Sequence, residues 1–250
     1  VKLFRRTRRG VKLTDEGRSY AGRVAERLDA LERDTLELMS GAEGTPVIEL
    51  AVVPTFGTRW LLPRLPQFMP GAVQINLHTR TRPFLFEDTP FDAAIYAGDG
   101  HWPGCATRKV LAERLIAVCS PALIASMDGP PLTLAALARL PLLQQTTRPQ
   151  AWRRWFEAGS LACDGDLRGP RYEQFSMSVQ AAVLGLGVAL VPDFMVEEEL
   201  AQGRLLQPVL QAHDSDRAYY FVVPEGREHT PLLARFGDWL ARTAAEQQRC

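Results

Sequence analysis

The sequence predicts an α/β fold that follows a basic hairpin and one long helix. Three observations predict it. Residues 1–12 carry six cationic and no acidic side chains, apolar residues recur three or four apart between 21 and 38, and strand-like runs alternate with helical stretches beyond residue 46. Strands that alternate with helices typically form mostly parallel sheets covered by helices. The 250 residues are 46% hydrophobic and 23% charged, which is ordinary for a globular protein.

The first segment predicts a short hairpin whose turn displays arginines. Leu3 and Phe4 precede the turn, Val11 and Leu13 follow it, and Gly10 can adopt the positive φ that tight turns need. The basic positions are Lys2, Arg5, Arg6, Arg8, Arg9 and Lys12. This patch either attracts nucleic-acid phosphate in a salt-dependent way or is simply a solvated terminus.

A long helix is predicted from Thr14 to Ser40. Thr14 can cap it, and Asp15 and Glu16 suit the positive end of the helix dipole. At 1.5 Å per residue the helix is about 40 Å long. Its narrow stripe of apolar or small residues consists of Ala21, Val24, Leu28, Leu31, Thr35 and Leu38. Such a stripe indicates a helix–helix seam, so we expect dimerisation; packing on its own domain is the alternative.

The remaining chain alternates strands and helices. Residues 47–53 form a nearly continuous apolar run, typical of a parallel strand covered on both faces. A helix is predicted over 57–69, bent by Pro63 and Pro66. Further strands are predicted at 73–79, 92–96, 115–119, 142–145, 187–191 and 219–223. Further helices are predicted at 133–139, 149–158, 176–185, 193–201 and 230–246.

The cysteines and the hydropathy indicate a reducing compartment. The four cysteines lie far apart without a C-x-x-C pair, and Cys119 falls in an apolar run, where a thiol behaves as a small hydrophobe. No apolar stretch is long enough to span a bilayer, and no signal-peptide core follows the basic start. We therefore expect a soluble, cytoplasmic protein that has no membrane partner.

The sequence offers little support for catalysis, metal binding or a cofactor. The four histidines lack paired ligand spacing, and Ser160 lacks the setting of a nucleophile elbow. Gly185 and Gly187 stand between a helix and a strand, the reverse of the order in a dinucleotide site, and favour a tight turn.

Two predicted helix starts, at residues 54–57 and 175–178, place hydroxyls beside unpaired backbone N–H groups. Facing one cleft, such ends could hold the carboxylate of a small ligand. Ordinary N-capping is the alternative, and composition alone favours it.

Several ordered motifs resemble the LysR-type transcriptional regulators, in particular the subgroup of the glycine-cleavage and β-lactamase regulators. They are the segments at 3–7, 11–17, 60–65, 91–100, 102–104, 119–123 and 181–192. The resemblance implies a wing remnant of a winged helix-turn-helix at 1–13, a dimerising linker helix at 14–41, and an effector-binding domain at 46–250. That domain would have a two-lobed, type 2 periplasmic-binding-protein-like fold, with lobe one at 46–124 and 225–250 and lobe two at 125–224.

The resemblance also implies what binds. A small-molecule effector would lie between the lobes, contacted by Thr55, Phe56, Thr79, Arg80, Tyr96, Gln145, Gln174, Phe175 and Tyr219. Arg80 and Arg82 could add positive charge or could face solvent. Promoter DNA would be contacted by Arg5, Arg6, Arg8 and Arg9, and the protein would form a homodimer or homotetramer.

Most of the family's helix-turn-helix precedes the wing and is absent from this chain, which starts at Val1. Because base readout comes from that recognition helix, we expect an intact form to bind a promoter specifically and these 250 residues alone not to.

Two other classes compete with a ligand-responsive regulator. A solute-binding protein of a transport system could share the fold, but the basic hairpin, the linker helix and the missing export signal argue against it. An enzyme on the same scaffold would need a convergent acid–base or nucleophile set, and the sequence presents none.

Overall fold

The computed structural model describes residues 1–7, 10–40, 45–68, 73–125, 127 and 130–247. The chain separates into two compact units, Val1–Pro46 and Val47–Cys250. Within the described residues, no helix is both long and apolar enough to cross a membrane.

The first unit is a hairpin followed by a long helix, as predicted. Strands β1 (Phe4–Thr7) and β2 (Gly10–Leu13) pair antiparallel, and helix α1 spans Asp15–Ser40. Thr14 caps α1, because its hydroxyl accepts the N–H of Gly17 at 3.0 Å. The same hydroxyl donates to the Lys2 carbonyl at 2.8 Å, which ties the hairpin to the helix start.

The apolar stripe of α1 has little cover inside its own unit. Val24 is half-buried, whereas Leu28 and Leu31 are 59% and 62% exposed. The side chain of Leu38 lies outside the described residues. Because α1 displays these leucines to solvent in a single chain, the predicted seam is open to a partner helix.

The second unit is an α/β fold built on one eight-stranded sheet. Its strands are β3 (Val47–Val52), β4 (Gln74–Thr79), β5 (Ala93–Gly98), β6 (Cys105–Val118), β7 (Leu142–Gln145), β8 (Arg171–Tyr172), β9 (Val188–Pro192) and β10 (Ala212–Pro224). Its helices are α2 (Pro54–Phe56), α3 (Leu65–Phe68), α4 (Leu134–Leu137), α5 (Ala151–Ala158), α6 (Phe175–Val183), α7 (Glu197–Ala201) and α8 (Pro231–Gln247).

The sheet order is β4-β3-β5-β10-β6-β9-β7-β8. Parallel pairs lie toward both ends, but the long central strands β6 and β10 run antiparallel to each other and to their outer neighbours. The expectation of mostly parallel pairing is therefore wrong at the centre, where these two strands link the two ends of the sheet. The ends form the two lobes of the fold.

The predicted helix at 57–69 is broken into pieces. It starts three residues earlier, at Pro54, continues as a π-helical turn over Gly57–Leu61, and resumes as α3 after Pro63. Proline removes a backbone donor and disrupts the preceding turn, which explains the break. Met69 lies outside the described residues.

The two larger of the three hydrophobic clusters among the described residues support the lobes. The larger one includes the fully buried Phe56, Trp60 and Phe236, and the smaller one surrounds Trp155 of α5. Cys119 is fully buried in the smaller core, as its apolar setting predicted. Gly187 approaches the Pro141 carbonyl so closely that a Cβ would lie 2.4 Å from it, so the α6–β9 connection is the tight glycine turn that was predicted.

Candidate functional site

A cavity of about 270 Å³ lies between the start of α2 and the start of α6. It is near the lower end of ordinary ligand pockets, which begin at roughly 300 Å³. Seven of the nine predicted effector residues line it, namely Thr55, Phe56, Tyr96, Gln145, Gln174, Phe175 and Tyr219.

Thr79 and Arg80 do not line this cavity. Both are exposed, and the Arg80 guanidinium lies 4.8 Å from the centre of the Phe91 ring. The chain continues past the end of β4, and Thr81 and Pro83 reach the cavity instead. Arg82 is exposed and is also absent from the lining.

Two hydrogen bonds cross the cleft. The N–H of Ser176, at the start of α6, donates to the Thr55 hydroxyl at 3.1 Å. The Thr81 hydroxyl donates to the Glu173 carboxylate at 3.0 Å. Each bond joins residues on opposite walls, so this arrangement of the lobes is a closed one in which the walls satisfy each other's polar groups.

Gln145 organises the second wall. Its amide nitrogen donates to the Glu173 carbonyl at 2.5 Å, and its amide oxygen accepts the Ser178 hydroxyl at 3.1 Å. Both side chains are buried, so these bonds fix the end of β7 against the first turn of α6. Opposite, the Tyr96 hydroxyl donates to the Thr81 carbonyl at 3.0 Å and steadies the loop after β4.

The inner surface of the cavity is aromatic. Phe56 stacks on Tyr219 with ring centres 4.8 Å apart, and Phe175 faces the same space. Complete burial raises the pKa of Tyr219 well above its ordinary value, and the negative charge of Glu113 raises it further. Tyr219 therefore stays a neutral phenol at physiological pH.

Four charged residues at or beside the cavity were not predicted from the sequence: Arg148, Glu173 and Arg217 line it, and Glu113 lies beside it in a wider adjoining space. The Arg148 guanidinium lies 3.0 Å from the fully buried carboxylate of Glu113. Burial, and then the neighbouring charge of Arg148, lower the pKa of Arg217. Glu113 lies in a polar stretch of β6 and Arg217 in a polar stretch of β10. A prediction of both strands at full length would have placed these two residues on adjacent strands.

A wider chamber of about 760 Å³ opens next to the cavity. The two spaces share Tyr96, Arg148 and Arg217, so the arginines stand at their junction. Glu113 and Trp102 line the wider chamber only.

The hairpin presents Arg5 and Arg6 to solvent on β1. Arg8 and Arg9, the other two predicted DNA contacts, lie outside the described residues. No cluster of metal-ligating side chains occurs in the part of the chain that the structure describes.

Comparison with known proteins gives consistent matches. The LysR substrate binding domain matches residues 41–245. The glycine cleavage system transcriptional activator of Escherichia coli K12 is 35% identical over all of this chain and 82% of its own length. The transcriptional activator AmpR of Rhodobacter capsulatus is 32% identical over 98% of this chain and 82% of its own length. The effector domain of AmpR from Pseudomonas aeruginosa superimposes with a TM-score of 0.72 at 28% identity, covering 81% of this chain and 98% of that one.

Proposed function

The chain belongs to the LysR-type transcriptional regulators, and we propose that its effector binds in the cavity between α2 and α6. The observation that carries the proposal is the convergence of Thr55, Gln145, Phe175 and Tyr219, from four separate segments, on one small cavity crossed by hydrogen bonds. A ligand there would favour one closure of the lobes, and its effect can be no larger than its differential affinity for the two arrangements.

The proposal covers the boundaries of the parts as well. Residues 1–13 act as the wing and residues 14–41 as the linker helix, and residues 46–250 bind the effector, with lobes at 46–124 plus 225–250 and at 125–224. The first compact unit ends at Pro46, which supports the start of the effector-binding part at this point of the chain. Strands β6 and β10 lie at the centre of the sheet and connect its two ends. They would therefore transmit movement of one lobe to the other.

Partners follow from the first unit. Arg5, Arg6, Arg8 and Arg9 of the hairpin contact DNA phosphate or the minor groove, where they position rather than read sequence. The exposed leucines of α1 pair with a second copy, giving a dimer or a dimer of dimers. The protein works in the cytoplasm, where promoter DNA is available.

The effector is a small molecule that the protein binds without turning it over. Within the described residues, the cavity holds no nucleophile paired with a general base. The two relatives named above are transcriptional activators, so the comparisons lend no support to a transport protein. One relative acts on the glycine cleavage system, which makes small amino and carboxylic acids the first effectors to screen.

The test uses a substitution that fills the cavity with a larger side chain. Gln174, the residue that precedes α6, lines the cavity, whereas Gln180 is exposed on α6, so Gln174→Trp and Gln180→Trp are compared as site and control variants. A thermal-shift screen of amino and carboxylic acids should find a compound that stabilises the wild type and Gln180→Trp but not Gln174→Trp. A compound that stabilises Gln174→Trp as strongly as it stabilises the wild type would place the effector elsewhere.

A further inference from the structure

The geometry points to Arg217, supported by Arg148 and Glu113, as the site that recognises a carboxylate on an effector whose apolar body fills the inner cavity. This inference rests on the proposed function, because it names the effector's chemistry and the residue that selects it.

The charges at the junction of the two spaces are not evenly paired. Arg148 pairs with Glu113, whose side chain is fully buried. Arg217 makes no ion pair among the described residues, and its guanidinium is held by a 2.6 Å hydrogen bond from Nη2 to the Ala97 carbonyl. Glu173, the other carboxylate at this cavity, accepts the Thr81 hydroxyl at 3.0 Å. Arg217 is therefore the cation of the cavity lining that has no carboxylate partner within the described residues.

Several buried polar atoms at this junction are unsatisfied. Nε of Arg148, Nε of Arg217 and Oε2 of Glu113 are buried and have no hydrogen-bond partner. Buried polar atoms are usually satisfied, and an uncompensated buried charge destabilises a fold. An anion bound beside Arg217 would pair with its guanidinium and accept a hydrogen bond from its unsatisfied Nε.

Aromatic side chains line the cavity beside the two arginines. The inner cavity is lined by the rings of Phe56, Phe175 and Tyr219, and the Arg148 guanidinium lies 5.9 Å from the Phe175 ring centre. Apolar walls bind an apolar body and strengthen an anion–guanidinium interaction at their edge. A guanidinium can also bind both oxygens of a carboxylate at once.

The helix start that might otherwise bind the anion is occupied. The Ser176 N–H already donates to Thr55 in the closed arrangement. Arg217, which has hydrogen-bonding capacity beyond its contact with Ala97, is the better anion partner in this closed form.

The test compares two probes of nearly equal shape, phenylacetate and phenylacetamide, by calorimetry and thermal shift at matched ionic strength. The wild type should bind the carboxylate about 10- to 100-fold more tightly than the amide, the ratio expected for a charge-assisted hydrogen bond. Arg217→Gln should abolish this preference, whereas Arg82→Gln, which changes an exposed arginine outside the cavity, should keep it.

Arg217→Lys provides a second variant if Arg217→Gln fails to fold, since it keeps the charge but loses the planar donors, and its preference should be intermediate. If the wild type binds both probes equally and the substitutions of Arg217 change neither affinity, the inference is overturned. The cavity would still be the effector site. Failure of both probes to bind would also overturn it, and the Gln174→Trp and Gln180→Trp pair would then decide the proposed function separately.

Discussion

The hydrogen bond between Ser176 and Thr55 predicts a measurable change in lobe closure. Thr55→Val keeps the size and branching of the side chain but removes the hydroxyl that accepts the Ser176 N–H at 3.1 Å. Thr55 is only 5% exposed, so water cannot readily replace the lost acceptor. A neutral hydrogen bond contributes about 0.5–1.5 kcal/mol, and an unsatisfied buried donor costs about 1–3 kcal/mol.

We therefore expect Thr55→Val to weaken closure by about 1–2 kcal/mol, which is about a 5- to 30-fold change in its equilibrium constant. Hydrogen exchange of the Ser176 amide should accelerate by the same factor. Thr58→Val is the matched control, because the Thr58 hydroxyl contacts only carbonyls of its own helical turn, those of Pro54 and Thr55, at 3.3 Å. Equal exchange at Ser176 in both variants would refute the view that this bond holds the cleft closed.

Three further predictions concern charge, backbone packing and thiol chemistry. Glu113→Gln should destabilise the fold by about 3–5 kcal/mol in chemical denaturation, because it leaves Arg148 buried without its counter-charge, while Asp216→Asn, at an exposed pair, should cost under about 1 kcal/mol. Gly17→Ala should detach the hairpin from α1, since its Cβ would lie 2.0 Å from the Leu3 carbonyl oxygen, whereas Gly22→Ala, in open space, should raise helicity by circular dichroism. Burial raises the pKa of Cys119 to about 11, so iodoacetamide at pH 8 should label the half-buried Cys163 long before Cys119, which should react only after unfolding. The charge prediction fails if Glu113→Gln and Asp216→Asn lower the free energy of unfolding equally. The packing prediction fails if Gly17→Ala and Gly22→Ala change helicity alike. The thiol prediction fails if Cys119 is labelled in the native protein.

The sequence predicted the fold best where apolar residues are continuous. Strand β3 matches its predicted run to within one residue, and β7 matches it fully. Strands β6 and β10 were predicted at less than half their length, because their remaining residues include many charged and polar side chains, most of which are at least partly exposed. A continuous apolar run is a signature of strands buried on both faces only, so partly exposed strands escape it.

The same limitation explains the candidate site. Thr55, Gln145 and Phe175 stand at the ends of recognisable strands or starts of recognisable helices, so the family resemblance and the element order placed them on the cavity. Glu113 and Arg217 lie in the polar halves of β6 and β10 that were missed, and only the long-range pairing of those strands brings them together. Thr79 ends an identifiable strand and Arg80 follows it, but the direction of their side chains depends on the loop that comes next.

We expect a ligand in this cavity to control transcription. The decisive comparison is between a strain whose chromosomal copy carries Gln174→Trp and a strain that carries Gln180→Trp. Target promoters are those whose transcripts change when the gene is deleted. At these promoters, occupancy by the protein and transcript level are measured in both strains, under growth conditions that alter transcription in the wild type. We predict that occupancy persists in both strains, while the transcriptional response is lost only with Gln174→Trp. A response that is unchanged in the Gln174→Trp strain would contradict the account.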